Sequence, residues 1–168
     1  ECGHASRTLF NYFDDWFGDE IEGLERLNIV PLTYQYLNEG RIKVKPKTFD
    51  TPMTYHDPCS LGRSSGIYDE PRELIETVAT DFREMTPNRE LNWCCGGGGG
   101  LIAADEDMFE TRMQGGLPKV AQIREAGAEW VITACENCKT QLEDLNKHYE
   151  MGFEIKGVID LIADSLIV

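Results

Sequence analysis

The chain has 168 residues, 41% of them hydrophobic and 27% charged, which is ordinary for a globular domain with a substantial core. Its formal net charge of -14 argues against nucleic acid as a partner, because phosphate binding needs clustered Lys and Arg, and it equally disfavours an anionic membrane surface. No apolar run approaches a membrane span, and the first residues lack the charged-then-apolar pattern of a signal peptide. With nothing that marks secretion, the six Cys point to metal or redox use rather than to disulfide staples.

In chain order, His4 to Phe17 places Leu9, Phe10, Phe13, Trp16 and Phe17 on one helical face, with Gly18 as a stop. Leu24 to Leu27 reads as helical and Ile29-Val30 as a short β-type run; Pro31 then starts a helix through Leu37 that ends at Gly40. Lys43 to Pro52 mixes Lys, Pro and Thr and reads as a connector, which divides the chain into residues 1–50 and 51–168. Beyond it, strand and helix alternate. Met53 to His56 is a strand leading into Asp57-Pro58-Cys59, Glu70 to Ala79 a helix with Pro71 in its first turn, and Phe82 to Met85 a strand. Ala104 to Met113 is helical, Gly115-Gly116 interrupts, and Pro118 opens a helix to Ala126 with Gly127 as its stop. Trp130 to Ala134 is the clearest strand, and the helix after it, Glu136 to Tyr149, carries Cys138, Leu142, Leu145 and Tyr149 on one stripe. Phe153 to Val158 and Ile159 to Ile167 close the chain as strand and helix. The alternation predicts an α/β fold, a mainly parallel sheet with helices on its faces.

Two Cys follow strands at their carboxyl ends, Cys59 and Cys135, where open α/β sheets build their sites. Each stands near a helix start, where free backbone N–H groups favour a thiolate or an anionic cluster. Cys135-Glu136-Asn137-Cys138 is a C-x-x-C, a pattern shared by thioredoxin-like centres, zinc sites and iron–sulfur sites. The adjacent pair Cys94-Cys95 narrows the choice: neighbouring side chains splay apart and rarely ligate one tetrahedral zinc together, whereas several irons offer several attachment points. Gly96 to Gly100 then removes every Cβ beside those thiols, so that backbone such as Gly96 and Gly97 can approach a cluster and donate N–H groups to its sulfurs; a flexible linker is the alternative.

The succession Tyr55-His56-Asp57-Pro58-Cys59-Ser60-Leu61-Gly62-Arg63, then Cys94-Cys95 with Gly96 to Gly100, then Cys135-Glu136-Asn137-Cys138, resembles the cysteine-rich CCG domain. That domain occurs in heterodisulfide reductase catalytic subunits and in related glycerol-3-phosphate, lactate and glycolate oxidoreductase subunits. The spacings are residues 60–93 and 96–134, the second somewhat longer than the family's usual pattern. The resemblance implies that Cys59, Cys94, Cys95, Cys135 and Cys138 hold a non-cubane [4Fe-4S] cluster that reduces a disulfide substrate. It further implies other iron–sulfur or membrane cytochrome subunits as partners, and a cytoplasmic location, peripheral on the inner membrane through them. In such proteins the domain usually occurs twice. Glu1-Cys2-Gly3-His4, which lacks an initiator Met, resembles the tail of a preceding copy, so an N-terminal half is an expected partner and residues 1–50 its remnant plus connector. The wording around Cys2 and Asn92-Trp93-Cys94 is most similar to the heterodisulfide reductase-like subunit of the sulfite-reduction-associated membrane complex.

Several residues carry two readings. His56 either serves catalysis, by donating to cluster sulfur or relaying a proton, or caps its strand; Arg63 either holds an anionic substrate group or pairs with a carboxylate. Cys2 reads as a ligand belonging to a preceding copy or, in this chain alone, as a free thiol, and His4 and His148 read as surface or packing residues. Glu136 and Asn137 are donors to the site or plain solvent-facing residues. The stripe of Phe10, Phe13, Trp16 and Phe17 is core in a longer protein or a docking face. For the whole chain, a structural zinc scaffold and an electron relay without substrate stand beside the disulfide-reducing centre.

Overall fold

The computed structural model describes residues 1–167, with the backbone alone for residues 105 and 106. Three strands, β1 (Met53–His56), β2 (Trp130–Thr133) and β3 (Glu154–Gly157), form a parallel sheet in the order β1-β2-β3. Met53 pairs with Trp130 and Trp130 with Glu154, so the three carboxyl ends lie side by side. The α/β architecture expected from the alternation is the one present.

Because successive strand side chains point to opposite faces, the sheet sorts its residues into two layers. Met53, Tyr55, Ile132, Ala134 and Val158 face one core, closed by α3 (Ile29–Asn38), α5 (Asp69–Val78) and α10 (Val158–Asp164) through Val30, Leu74, Ile75, Val78, Leu161 and Ile162. Val131 faces the other core, closed by α7 (Asp105–Gly115), α8 (Leu117–Ala126) and α9 (Glu136–His148) through Met113, Val120, Ile123, Leu142 and Leu145. Cys95, Cys135 and Cys138 belong to this second layer, so the period of the strands decides on which face the thiols gather. Thr54 and His56 alternate with Met53 and Tyr55 and therefore point towards it.

The remaining helices are short: α1 (Gly3–Asn11) and α2 (Phe13–Phe17), parted at Tyr12, then α4 (Gly62–Ser65) and α6 (Gly100–Ala103). α8 ends as expected on Gly127, in the left-handed conformation at φ +60°, with its N–H on the carbonyls of Ile123 and Arg124.

Three local expectations are corrected. Residues 24–28 have no helix. Ile29-Val30 is the first turn of α3 rather than a β-type run, because Asn28 caps it: Asn28 Oδ1 accepts from Val30 N at 2.8 Å, and Pro31 is tolerated where no helical N–H is needed. Phe82 to Met85 is not a strand. It touches β1 through one bridge, Met53 with Phe82, and then leaves, since Arg83 turns to Asp81 and to the carbonyl of Gly127 while Glu84 turns to Arg72. Residues on both sides of the connector near residue 50 contribute to one layer: Val30, Val44, Tyr34, Leu37 and Ile42 pack with Met53 and Tyr55, and Val44 and Phe49 bridge to Leu166 and Ala79.

Beneath the first layer lies a buried ion pair. Arg72 of α5 donates two bonds to Asp57, 2.7 and 2.8 Å long, and further bonds to Glu84. The Arg72 and Asp57 side chains are only 5% and 3% exposed, so removing one partner leaves the other charged and out of water. Arg72→Met is expected to lower stability by about 3–5 kcal/mol in urea unfolding, and a midpoint equal to that of the parent chain would show the pair to be dispensable.

Candidate functional site

The site starts at the carboxyl ends of β1 and β2. After His56 the chain runs Asp57-Pro58-Cys59, and after Thr133 it runs Ala134-Cys135, with Cys135 at the N-cap of α9. Cys138 lies one turn into α9 and faces the buried layer. The third element is the loop that carries Cys94 and Cys95. It is fastened to β1 through Asp57, whose carboxylate accepts from Arg89 N at 2.9 Å and whose carbonyl accepts from Asn92 Nδ2 at 2.7 Å.

These elements bring all five sequence-predicted thiols into one run. The side chains of Cys59 and Cys94, Cys94 and Cys95, Cys95 and Cys138, and Cys138 and Cys135 lie near enough to shift one another's protonation. The Cys95 and Cys138 sulfurs stand 3.6 Å apart, far longer than a disulfide's ~2.05 Å. Two thiolates on one tetrahedral metal with bonds of about 2.3 Å would stand about 3.8 Å apart. Cys95, Cys135 and Cys138 are buried, whereas Cys59 and Cys94 are exposed.

Charge is divided unevenly along the run. Cys94 is held well below the ordinary thiol range by the side chains of Cys59 and Cys95, and burial does not offset them. Its sulfur also accepts from Gly96 N at 3.3 Å. Cys135 is lowered to about 5 by the Cys138 thiol, against burial, with further N–H groups from Cys138, Gly3 and Asn137. The cost appears on their neighbours: Cys59 is raised by Cys94 and burial, and Cys138 is raised by Cys135, Cys95 and burial. The metal-free run thus concentrates negative charge on Cys94 and Cys135 and leaves the thiols between them protonated.

Backbone donors do what the glycine run implies. Gly96 serves Cys94, and Gly97 donates to Cys95. Gly96 has φ +89°, and a Cβ there would meet Gly116 N at 2.8 Å and Arg112 O at 2.9 Å, so no other residue lets this backbone lie against α7.

His56 sits inside this assembly. Its ligand nitrogen and the sulfurs of Cys95 and Cys138 all lie within 4.8 Å of one another, and it is 1% exposed. Neither ring nitrogen has a hydrogen-bond partner among the described residues, so it does not cap its strand through the ring. Burial, with Lys119 beside it, pushes its pKa well down, which keeps the imidazole neutral. A buried ring with two orphaned nitrogens, beside the Cys95 and Cys138 thiols, fits a metal–sulfur group better than it fits an apolar core.

Arg63 lies elsewhere. Its Nε donates to Glu90 O at 2.8 Å and its Nη2 to Asn92 O, so its fork is committed to the main chain just ahead of Cys94. It is not among the residues lining the cavity over the thiols. That cavity, about 210 Å³, is bounded by Cys59, Cys94, Cys95 and Cys138, by Gly97 to Gly99, and by His4, Arg7, Ser60 and Asn137. His4, expected at the surface or in packing, bonds Asn137 through Nδ1 at 3.2 Å and helps form the mouth. Cys2 lies outside, in a neighbouring groove, which His4 also lines. His148 packs edge-on against Phe109 and Tyr149.

Alkylation of the metal-free chain under reducing, oxygen-free conditions should follow this order. At neutral pH, Cys94, exposed and deprotonated, is expected to react well before Cys59, and Cys95 and Cys138 last, as read by peptide mass mapping. Labelling of Cys138 ahead of Cys94 would contradict the arrangement.

Residues 53–143 match the family CCG, described as a cysteine-rich domain. The chain is 28% identical over 149 residues to an Hdr-like menaquinol oxidoreductase iron-sulfur subunit of Archaeoglobus profundus, covering 84% of this chain and 26% of that protein. It is 31% identical over 169 residues to a dihydromethanophenazine:CoB--CoM heterodisulfide reductase subunit of Methanosarcina acetivorans, covering 98% of this chain and 39% of that one. It is also 28% identical over 150 residues to an EtfAB:quinone oxidoreductase of Syntrophomonas wolfei, covering 85% and 20%. The chain therefore spans well under half the length of these relatives. Similarity to Hdr-like iron–sulfur subunits supports an iron–sulfur redox role, and the family match together with buried Cys95, Cys138 and His56 points to an iron–sulfur cofactor. The match covers more than half of the chain, and the chain belongs to the CCG cysteine-rich domain family.

Proposed function

We propose that this chain is the cluster-bearing part of a heterodisulfide reductase-like oxidoreductase, in which Cys59, Cys94, Cys95, Cys135 and Cys138 hold a non-cubane [4Fe-4S] cluster and a disulfide is reduced. The observation that carries the proposal is the run of five thiols, of which Cys59, Cys94, Cys95 and Cys138 line one half-open cavity and the buried Cys135 adjoins Cys138. When bound, such a cluster supplies electrons one at a time to the substrate sulfur. The balance is one S–S bond broken, two electrons taken up from a partner redox subunit and two protons added to give two thiols.

The chain's own residues would prepare that chemistry. Cys94 and Cys135 offer thiolates without prior proton loss. Gly96 and Gly97 turn backbone N–H groups onto sulfur. His56, kept neutral, holds one proton on its ring and has no other partner for it among the described residues, so a nearby sulfur is its natural acceptor. The role of Arg63 in this reading is to hold Asn92 and hence the Cys94 loop, rather than to grip substrate.

Around the cluster, residues 51–168 would be the cluster-binding domain, and residues 1–50 would belong with a preceding copy in a longer chain, although α3 packs on the same core. Other iron–sulfur or membrane cytochrome subunits would deliver electrons, at the cytoplasmic face. Among the described residues no helix is long and apolar enough to cross a membrane. A second reading, structural zinc, draws on the same buried trio, since His56, Cys95 and Cys138 need only one further ligand to complete a tetrahedron.

The test is anaerobic reconstitution of the chain, with metal analysis and electron paramagnetic resonance. The expected result is about four irons per chain and a reducible signal that glutathione disulfide or cystine perturbs. Cys94→Ser and Cys95→Ser should each lose most of the iron. One zinc per chain and no iron would defeat the cluster, and an iron signal indifferent to every disulfide would favour the relay.

A further inference from the structure

Lys119, on α8, is 0% exposed, yet among the described residues no carboxylate stands within ion-pair distance of it. Its ammonium donates to Asn92 Oδ1 at 2.6 Å, to Gln122 Oε1 at 2.6 Å and to Met85 Sδ at 3.5 Å. Every one of these partners is neutral. A buried cation satisfied by hydrogen bonds but not by charge is expensive, and a fold keeps one only where negative charge is supplied from somewhere else. The carboxylate of Asp57 contributes, but it is already engaged by Arg72. Cys95, Cys94 and Cys138 also interact with Lys119 electrostatically, and the neutral ring of His56 stands beside it.

The position is built, not incidental. Asn92, which holds the ammonium through Oδ1, is also tied to the Asp57 carbonyl through Nδ2, and lies two residues before Cys94. Gln122, one turn along α8, completes the cradle and is itself anchored to Pro87 O at 2.8 Å. Met85, Val120, Cys95 and Cys138 form one buried layer, so Lys119 and the thiols share the same water-free region. Burial lowers its pKa to about 8, against the pull of Asp57 and the three Cys, so it is still charged at neutral pH.

We propose that Lys119 is the buried counter-charge of the sulfur site, a positioning residue that stabilises the anionic metal group that Cys94, Cys95 and Cys138 would hold. It does so at a distance, through a low-dielectric layer, and touches neither substrate nor metal. The inference rests on the reading of these Cys as the holders of an anionic metal group. A fixed positive charge near such a group favours its more reduced, more negative state, so Lys119 raises the reduction potential.

Two variants separate charge from packing. Lys119→Met removes the ammonium and keeps most of the volume. Gln122→Glu keeps Lys119 and places a carboxylate against it, giving up only the bond to Pro87, so that the pair is neutral as a unit. In the iron-loaded chain both are expected to lower the midpoint potential, followed by electron paramagnetic resonance, by about 59 mV, a tenfold change in a one-electron equilibrium. In the metal-free chain Lys119→Met is expected to raise the urea midpoint, because an uncompensated buried charge has gone. Unchanged potentials in both variants overturn the proposal, and if Lys119→Met fails to fold, Gln122→Glu decides alone. Should the parent chain bind zinc and no iron, the cluster reading fails by itself. The counter-charge is then read from zinc affinity by chelator competition, where about tenfold weakening in both variants supports it and equal affinity overturns it. A parent chain that binds no metal at all overturns both.

Discussion

The buried carboxylate of Asp57 is the contact on which the rest of the site depends. It directly follows β1, so its backbone position is fixed by the parallel ladder to β2. Arg72 fastens it to α5 in the first layer, and the Arg89 amide fastens it to the loop that delivers Cys94 and Cys95, which Asn92 also ties to the main-chain carbonyl of the same residue. Cys59 follows it by two residues. One charged group thus ties the first cysteine of the site to the second and third, which are distant in sequence. Arg63 repeats the logic from outside by holding the carbonyls of Glu90 and Asn92. Bidentate pairing to an arginine is well suited to this, since it fixes orientation as well as distance.

Much of this was legible in the sequence, and the physical reasons for what was missed are specific. β1, β2, α8 and α9 carried strong local signals: β-branched runs, a proline at a helix start, a glycine stop. The five thiols were recognisable by residue type and by their places after strands and beside glycines. Ile29-Val30 has strand propensity, but the Asn28 cap overrides it and makes the pair the first turn of α3. Phe82 to Met85 has the composition of a strand, but its arginine and glutamate are drawn to partners far along the chain. The same blindness hid Lys119 and Arg72. A charged residue on a helix reads as solvent-facing until the fold shows what lies opposite it.

The first eight residues show a different kind of dependence. Gly3 donates its N–H to Cys135, and a Cβ there would come within 3.2 Å of Leu61 N and 3.6 Å of the Cys135 sulfur. His4 holds Asn137, inside the C-x-x-C, and lies so near Gly99 that a side chain there would strike its ring. Arg7 reaches the cavity mouth, and Glu1 accepts from the Ile159 amide at the start of α10. By these contacts the segment is part of the sulfur site's surroundings. Cys2, at the N-cap of α1, is held between that site and the neighbouring groove by the same contacts.

Charge explains why the site is arranged in this way. The chain carries a net charge of -14, so its average field opposes gathering more negative charge anywhere in it. Thiolates at Cys94 and Cys135 would add to that opposition, most of all at the buried Cys135. The structure answers locally, with groups that the net charge conceals: N–H donors from Gly3, Gly96, Gly97 and Asn137, the ammonium of Lys119 behind the second layer, and Arg7 and His4 at the mouth. Among the described residues, no Asp or Glu lines that mouth. A protein this acidic can hold anionic sulfur only by excluding its own carboxylates from the site. Asp57 is the exception, and Arg72 neutralises it where it stands.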